Sequence, residues 1–174
     1  MRLKSAAKIL FASAFGAYAL WGAFVPQATW LLDGANLLFH EAGHPFFFLF
    51  GQTIGFAGGT LAQLLIPGGL AAAFFYQRQF YSASIMLLWF GQNFFGISVY
   101  MRDARSQNLP LVGGGEHDWN YLLHRAGLLE CEQGVANIVW VCGVMIVAFA
   151  AGFCIYQATR NGDVSQRAES NQWQ

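Results

Sequence analysis

Apolar residues fall in long unbroken runs along most of this chain, and the polar positions collect between them. A helix that crosses a bilayer needs about 20 mostly apolar residues, because the hydrocarbon layer is roughly 30 Å thick. Five stretches approach that length: Ile9 to Val25, Thr29 to Phe50, Leu61 to Tyr76, Phe80 to Met101 and Val135 to Tyr156. The first follows Arg2, Lys4 and Lys8 and is closed by Pro26. Its run exceeds the roughly 7–15 residues of a signal-peptide core, so it reads as a retained anchor. The fifth is apolar nearly all round and reads as a plain anchor. Between the second and third lies Gly51-Gln-Thr-Ile-Gly-Phe-Ala-Gly-Gly59. Its glycines argue against a helix and its apolar character keeps it at the membrane. It is therefore expected to be a re-entrant or short extended loop whose backbone is covered by protein. The pattern predicts an all-α integral membrane protein of about five transmembrane helices with this re-entrant Gly-rich loop. One membrane domain spans 1–156, and the polar segment 157–174, rich in Ser, Gln and Asn, is expected to be disordered.

Composition supports the pattern. Of 174 residues, 56% are hydrophobic and 17% aromatic, only 10% are charged, and the mean hydropathy is +0.40. A soluble domain carries about a quarter charged residues. Zero formal net charge and the lack of a basic block exclude a nucleic-acid binder. Cys131, Cys142 and Cys154 form no CxxC pair and no disulfide framework. The basic residues predict orientation. With five spans and the N-terminus inside, positions 2, 4, 8, 102, 105 and 125 face the cytoplasm and 78, 160 and 167 face away. The positive-inside rule then places the N-terminus and the loop 102–134 in the cytoplasm, in what reads as a bacterial inner membrane.

The second stretch is unusual, because Asp33, Asn36, His40, Glu41 and His44 interrupt it. His40-Glu41-Ala42-Gly43-His44 is an HExxH pattern. Residues i and i+4 share a helical face, so both imidazoles can reach one Zn²⁺, while Glu41 lies beside the ion where it can take a proton from water. Ionisable groups cost at least ~2.5–3.5 kcal/mol each deep in a bilayer, so they persist where they have a partner or a cavity. The competing reading is a row of polar side chains that hydrogen-bond between helices. Four histidines are too few for a di-iron desaturase site, and His40 and His44 share a helix, which does not suit a bis-His haem. Mononuclear zinc fits this inventory. Pro45 follows directly and is expected to kink the helix at the site.

A membrane-embedded HEAGH, the Gly-rich stretch after it and the small-residue start Gly58-Gly59-Thr60-Leu61-Ala62-Gln63 resemble the site-2 protease class of intramembrane zinc metalloproteases. Over residues 30–103 the chain is similar to the small bacterial members that lack a PDZ domain. The resemblance implies zinc on His40 and His44, Glu41 as catalytic base, and hydrolysis of peptide bonds in or beside the bilayer. The substrate implied is a membrane protein or membrane-adjacent peptide. The rival functions are zinc or ion handling without hydrolysis, and an inactive protease-like scaffold within a membrane complex.

The class takes its third ligand from an Asp-Gly motif on a later helix. The only Leu-Asp-Gly here, Leu32-Asp33-Gly34, precedes the HExxH. The third ligand must therefore come from elsewhere. Asp103 is the first candidate, since Asn93, Gly96, Tyr100 and Asp103 form one helical stripe. His117 and Asp118, after the glycines 113–115, are the alternatives, against a plainer role for Asp118 as a helix N-cap. Asn93 and Tyr100 are candidate oxyanion or substrate contacts.

Overall fold

The computed structural model describes residues 3–25, 30–112 and 115–170, without the side chains of 4, 30 and 161–170. Pro26, Gly113 and Gly114 lie outside the described residues. Six α-helices follow in order: α1 (Leu3–Phe24), α2 (Trp30–Phe47), α3 (Gln52–Tyr76), α4 (Phe80–Arg102), α5 (Asp118–Arg125) and α6 (Glu132–Ser170), with no strand among the described residues. Short 3-10 turns, Phe48–Phe50 and Leu129–Cys131, lead into α3 and α6.

Four helical stretches among the described residues are long and apolar enough to cross a membrane: Ser5–Phe24, Gln52–Tyr76, Phe80–Arg102 and Leu129–Arg160. The expected second span is not one of them, because its five polar side chains dilute the apolar character of α2. The glycine-rich stretch 51–59 is not an extended loop either. Gly51 alone leaves the helical region, with φ at +105°, and α3 starts at the next residue. Its glycines serve contact between helices. Gly58 and Gly43 face one another across the α2–α3 crossing, where a Cβ on either would collide with the other helix. Small residues let the two backbones approach, and this packing outweighs the poor helix propensity of glycine. Pro45 sits in the last turn of α2, just before the chain tightens into the 3-10 turn. At the other end of the chain, α6 stays helical across 157–170, where a disordered segment was expected. A long apolar helix already holds its nucleus, so each added residue gains a backbone bond at little cost.

The core forms where α4, the most buried of the long helices, packs against α1 and α6. Leu88, Phe95, Val147, Ala150 and Ala19 are almost fully enclosed there. Contacts fix the helix directions. Tyr81 at the start of α4 donates to the carbonyl of Lys8 near the start of α1 (2.9 Å). Trp140, packed near Phe95, donates to the carbonyl of Ala23 at the end of α1 (2.9 Å). Thus α1 and α4 run parallel, while α3 and α6 run antiparallel to them. The upper half of the polar row on α2 is tied to α4. Asn36 Nδ2 donates to Gln92 Oε1 (2.8 Å), Gln92 Nε2 to Asp33 Oδ1 (2.8 Å), and Trp89 Nε1 to Asn36 Oδ1 (2.7 Å). For Asp33 and Asn36 the plainer reading, hydrogen bonds between helices, is therefore the right one.

Candidate metal centre

The lower half of the same row behaves differently. His40 and His44 lie one turn apart on α2, their rings 4.9 Å between centroids, and both meet a carboxylate from α5. Asp118 Oδ2 is 2.9 Å from His40 Nε2 and 3.3 Å from His44 Nε2. One donor atom from each residue lies within 4.8 Å of the others, and this buried group can hold a metal ion.

Local sequence explains how Asp118 comes free for this. The N-cap of α5 is His117, whose Nδ1 accepts from the backbone N–H of Asn120 (3.2 Å). Asp118 is thus relieved of capping. Its own backbone N–H donates to the Tyr100 hydroxyl of α4 (3.3 Å), and its side chain turns toward α2. The helix is pinned on its other side as well. Tyr121 stacks on Phe56 of α3 at 4.1 Å, and Asn120 Nδ2 donates to the carbonyl of Ala104 (2.8 Å).

Asp103, the first sequence candidate for the third ligand, is not at the site. Its carboxylate accepts from Ser106 Oγ (2.7 Å) and from the backbone N–H groups of Asn108 (2.8 Å) and Leu109 (2.9 Å). It closes the loop after α4 because a carboxylate at a helix end finds the free amides of the following turn before it finds a distant helix. His117 faces Asp103 at 3.5 Å and does not reach the imidazole pair. Of the two oxyanion candidates, Tyr100 borders the site, its ring 5.9 Å from that of His40. Asn93 does not border it; its amide donates to the carbonyl of Trp89 (3.0 Å) within α4. Asp118 was only an alternative in the sequence, one acid among several in a polar loop, and no local signal ranks it above Asp103.

Charge and space at the group suit a cation. His44 Nδ1 donates to the carbonyl of Gly55 (2.9 Å). In the neutral ring that bond leaves Nε2 as an acceptor, facing the Asp118 carboxylate. Two acceptors 3.3 Å apart are reconciled by a proton or a metal ion between them. Three donors around zinc with bonds of ~2.0–2.1 Å stand about 3.3 Å from one another, close to the 2.9 and 3.3 Å from Asp118 to the two imidazoles. Burial on its own pushes the Asp118 carboxyl up, but His40 and, when it carries a second proton, His44 outweigh it by hydrogen bonding and charge and hold Asp118 below the usual carboxylate range. Gly59 of α3 supplies the space. A Cβ there would fall 2.5 Å from His40 Nε2 and 2.6 Å from His44 Nε2.

A cavity of about 310 Å³ opens on this group, bordered by His40, Glu41, His44, Phe48, Phe56, Tyr100, Val112, Glu116 and Asp118. Glu41, partly exposed, makes no ion pair with a basic side chain among the described residues and fronts the cavity beside the imidazoles. Comparison with protein-family models, characterised proteins and solved structures returns no match for the chain. Function therefore rests on the chemistry of the site.

Proposed function

We propose that the chain is an integral membrane zinc metallopeptidase, similar in plan to the site-2 proteases, that hydrolyses peptide bonds in or beside the bilayer. One observation carries the reading: two imidazoles and a carboxylate converge on one point while Glu41 borders the same cavity. Two histidines and one acid are the donor set of catalytic zinc sites that keep a fourth position open. Zinc held there supplies Lewis acidity to a carbonyl and makes nearby water more acidic.

The chain's own residues then divide the work. His40, His44 and Asp118 hold the ion, and the Gly55 carbonyl fixes the ring orientation of His44. Glu41 takes a proton from the attacking water as its oxygen bonds to the peptide carbon. It returns that proton to the departing amine when the C–N bond breaks. The Tyr100 hydroxyl accepts from the Asp118 amide, so its proton is available to the developing oxyanion.

The test starts with metal content in detergent-purified protein. Wild type is expected to hold about one zinc per chain, with His44→Ala and Asp118→Ala empty. Glu41→Gln should keep its zinc yet lose peptide cleavage by about 100-fold or more. Folded wild type that takes up no added zinc overturns the metal site. Full cleavage by Glu41→Gln overturns the hydrolytic role while leaving the metal site intact.

A further inference from the structure

The helix directions have a consequence for where the site faces. α1 ends at Phe24 beside Ser98 and Arg102, at the far end of α4. Yet α2, the next helix, takes up contact with α4 at mid-length, where Asp33 and Asn36 meet Gln92, and climbs to Tyr100. It therefore runs parallel to α1 instead of returning beside it. From its end the chain turns at Gly51 and enters α3, which descends along α4, with Gly68 against Phe90. α2 thus starts level with the middle of α4 and leaves at the end where α1 stopped. It is a re-entrant helix, and the four long apolar helices are the crossings. An even number of crossings puts the start of α1 and the far end of α6 on one face. The metal centre, between the ends of α2 and α4 and the starts of α3 and α5, lies at the other.

This arrangement re-sorts the basic residues. The face of the termini and of the α3–α4 turn carries Lys8, Arg78 and Arg160, with positions 2, 4 and 167 adjoining in sequence. The face of the site carries Arg102, Arg105 and Arg125. No Lys or Arg occurs between α1 and α3. Excess Lys and Arg in short segments stay on the cytoplasmic side. The orientation expected from sequence keeps its N-terminus inside, but the loop 102–134 changes sides.

We infer that the metal centre opens away from the cytoplasm, and that the chain acts on the extracytoplasmic, membrane-adjacent part of a polypeptide. The second clause rests on the peptidase reading; the first does not. A 310 Å³ cavity lined both by Phe48, Phe56 and Val112 and by Glu41 and Glu116 suits a segment leaving the bilayer for water.

Cys131 offers a direct test. It is exposed in the turn before α6, on the side of the site, whereas Cys142 and Cys154 lie within α6. In right-side-out spheroplasts, a membrane-impermeant maleimide is expected to label full-length wild type as strongly as after permeabilisation, and Cys131→Ser should lose that label. A cysteine placed in the α3–α4 turn, Gln77→Cys in the Cys131→Ser background, should label only after permeabilisation. Cys131 protected until permeabilisation overturns the orientation, and labelling of both positions from the same side overturns the four crossings. Neither readout depends on zinc or on cleavage, so a failed peptidase assay leaves this result standing.

Discussion

At the scale of single residues, the glycine at 59 decides as much as the ligands do. His40 and His44 can share an ion only if α3 leaves room beside their Nε2 atoms, and the missing Cβ of Gly59 is that room. Gly59→Ala should therefore keep the helix, since alanine is the better helix former, and still push both rings off a common centre. The expected result is a zinc affinity about 10–100-fold weaker, the range for losing a group that orients a metal ligand. Gly69→Ala, further along α3 where a Cβ meets nothing within 4 Å, should bind zinc like wild type; competition with a chelator measures both. Half of this site was legible in the sequence. The i, i+4 pair with its glutamate is a local pattern, and a local pattern survives in one dimension. The third donor was not, because Asp103, Glu116 and Asp118 all stand in one polar stretch. What ranks them is a backbone cap taken by His117 and a carboxylate consumed by its own loop, and neither shows until the chain is folded.

At the scale of elements, the segment between α4 and α5 is what brings Asp118 to α2, and Asp103 is its fastening. Burial alone pushes the Asp103 carboxyl up, but bonds from the amides of Leu109 and Asn108 and from Ser106 prevail and hold it below the ordinary carboxylate value. A carboxyl with a lowered folded value stabilises the fold fully above its unfolded pKa of about 4. That contribution is lost as pH falls through the lowered folded value. Asp103→Asn is thus expected to melt below wild type at neutral pH, at a cost of roughly 1–2 kcal/mol for the weakened bonds. The gap should begin to narrow as pH falls below about 4 and close once pH has passed through the lowered folded value, below which the wild-type carboxyl is protonated too. Thermal melts of both proteins from neutral to acid pH measure it, and a gap that stays constant through that window would show that the charge of Asp103 does not fasten the loop. The elements themselves were mostly legible, since four runs of apolar residues became four long helices. The stretch 51–59 was misread because glycine content records propensity alone, whereas here the glycines are set by how closely α2 and α3 approach.

At the scale of the whole molecule, the number and direction of helices were the least legible features, since a run of apolar residues does not reveal which way its helix points. Directions are set by contacts such as Tyr81 with Lys8 and Trp140 with Ala23, far apart in sequence. The α4–α6 seam, where the ring of Phe95 meets that of Trp140, also bears on the candidate metal centre. α4 carries Tyr100 at its end, and α6 holds that end through Asn137, whose Oδ1 accepts from Arg102 (2.7 Å). The seam closes on two glycines. A Cβ at Gly143 would stand 2.8 Å from Phe94 Cβ, and one at Gly91 2.8 Å from Val147 Cγ2. With backbone and buried side chains on both sides, neither helix can yield without opening the seam. Gly143→Leu should therefore destabilise the protein by about 1–3 kcal/mol, the usual cost of overpacking a filled interior. It should also loosen zinc, because α4 can move only by carrying Tyr100 away from Asp118. Gly152→Leu, on the same helix where a Cβ meets nothing within 4 Å, should do neither. Melting temperature and zinc content measured on both variants separate the cases. If Gly143→Leu loses stability but binds zinc as tightly as wild type, the metal centre is held by α2, α3 and α5 alone and the seam plays no part in it.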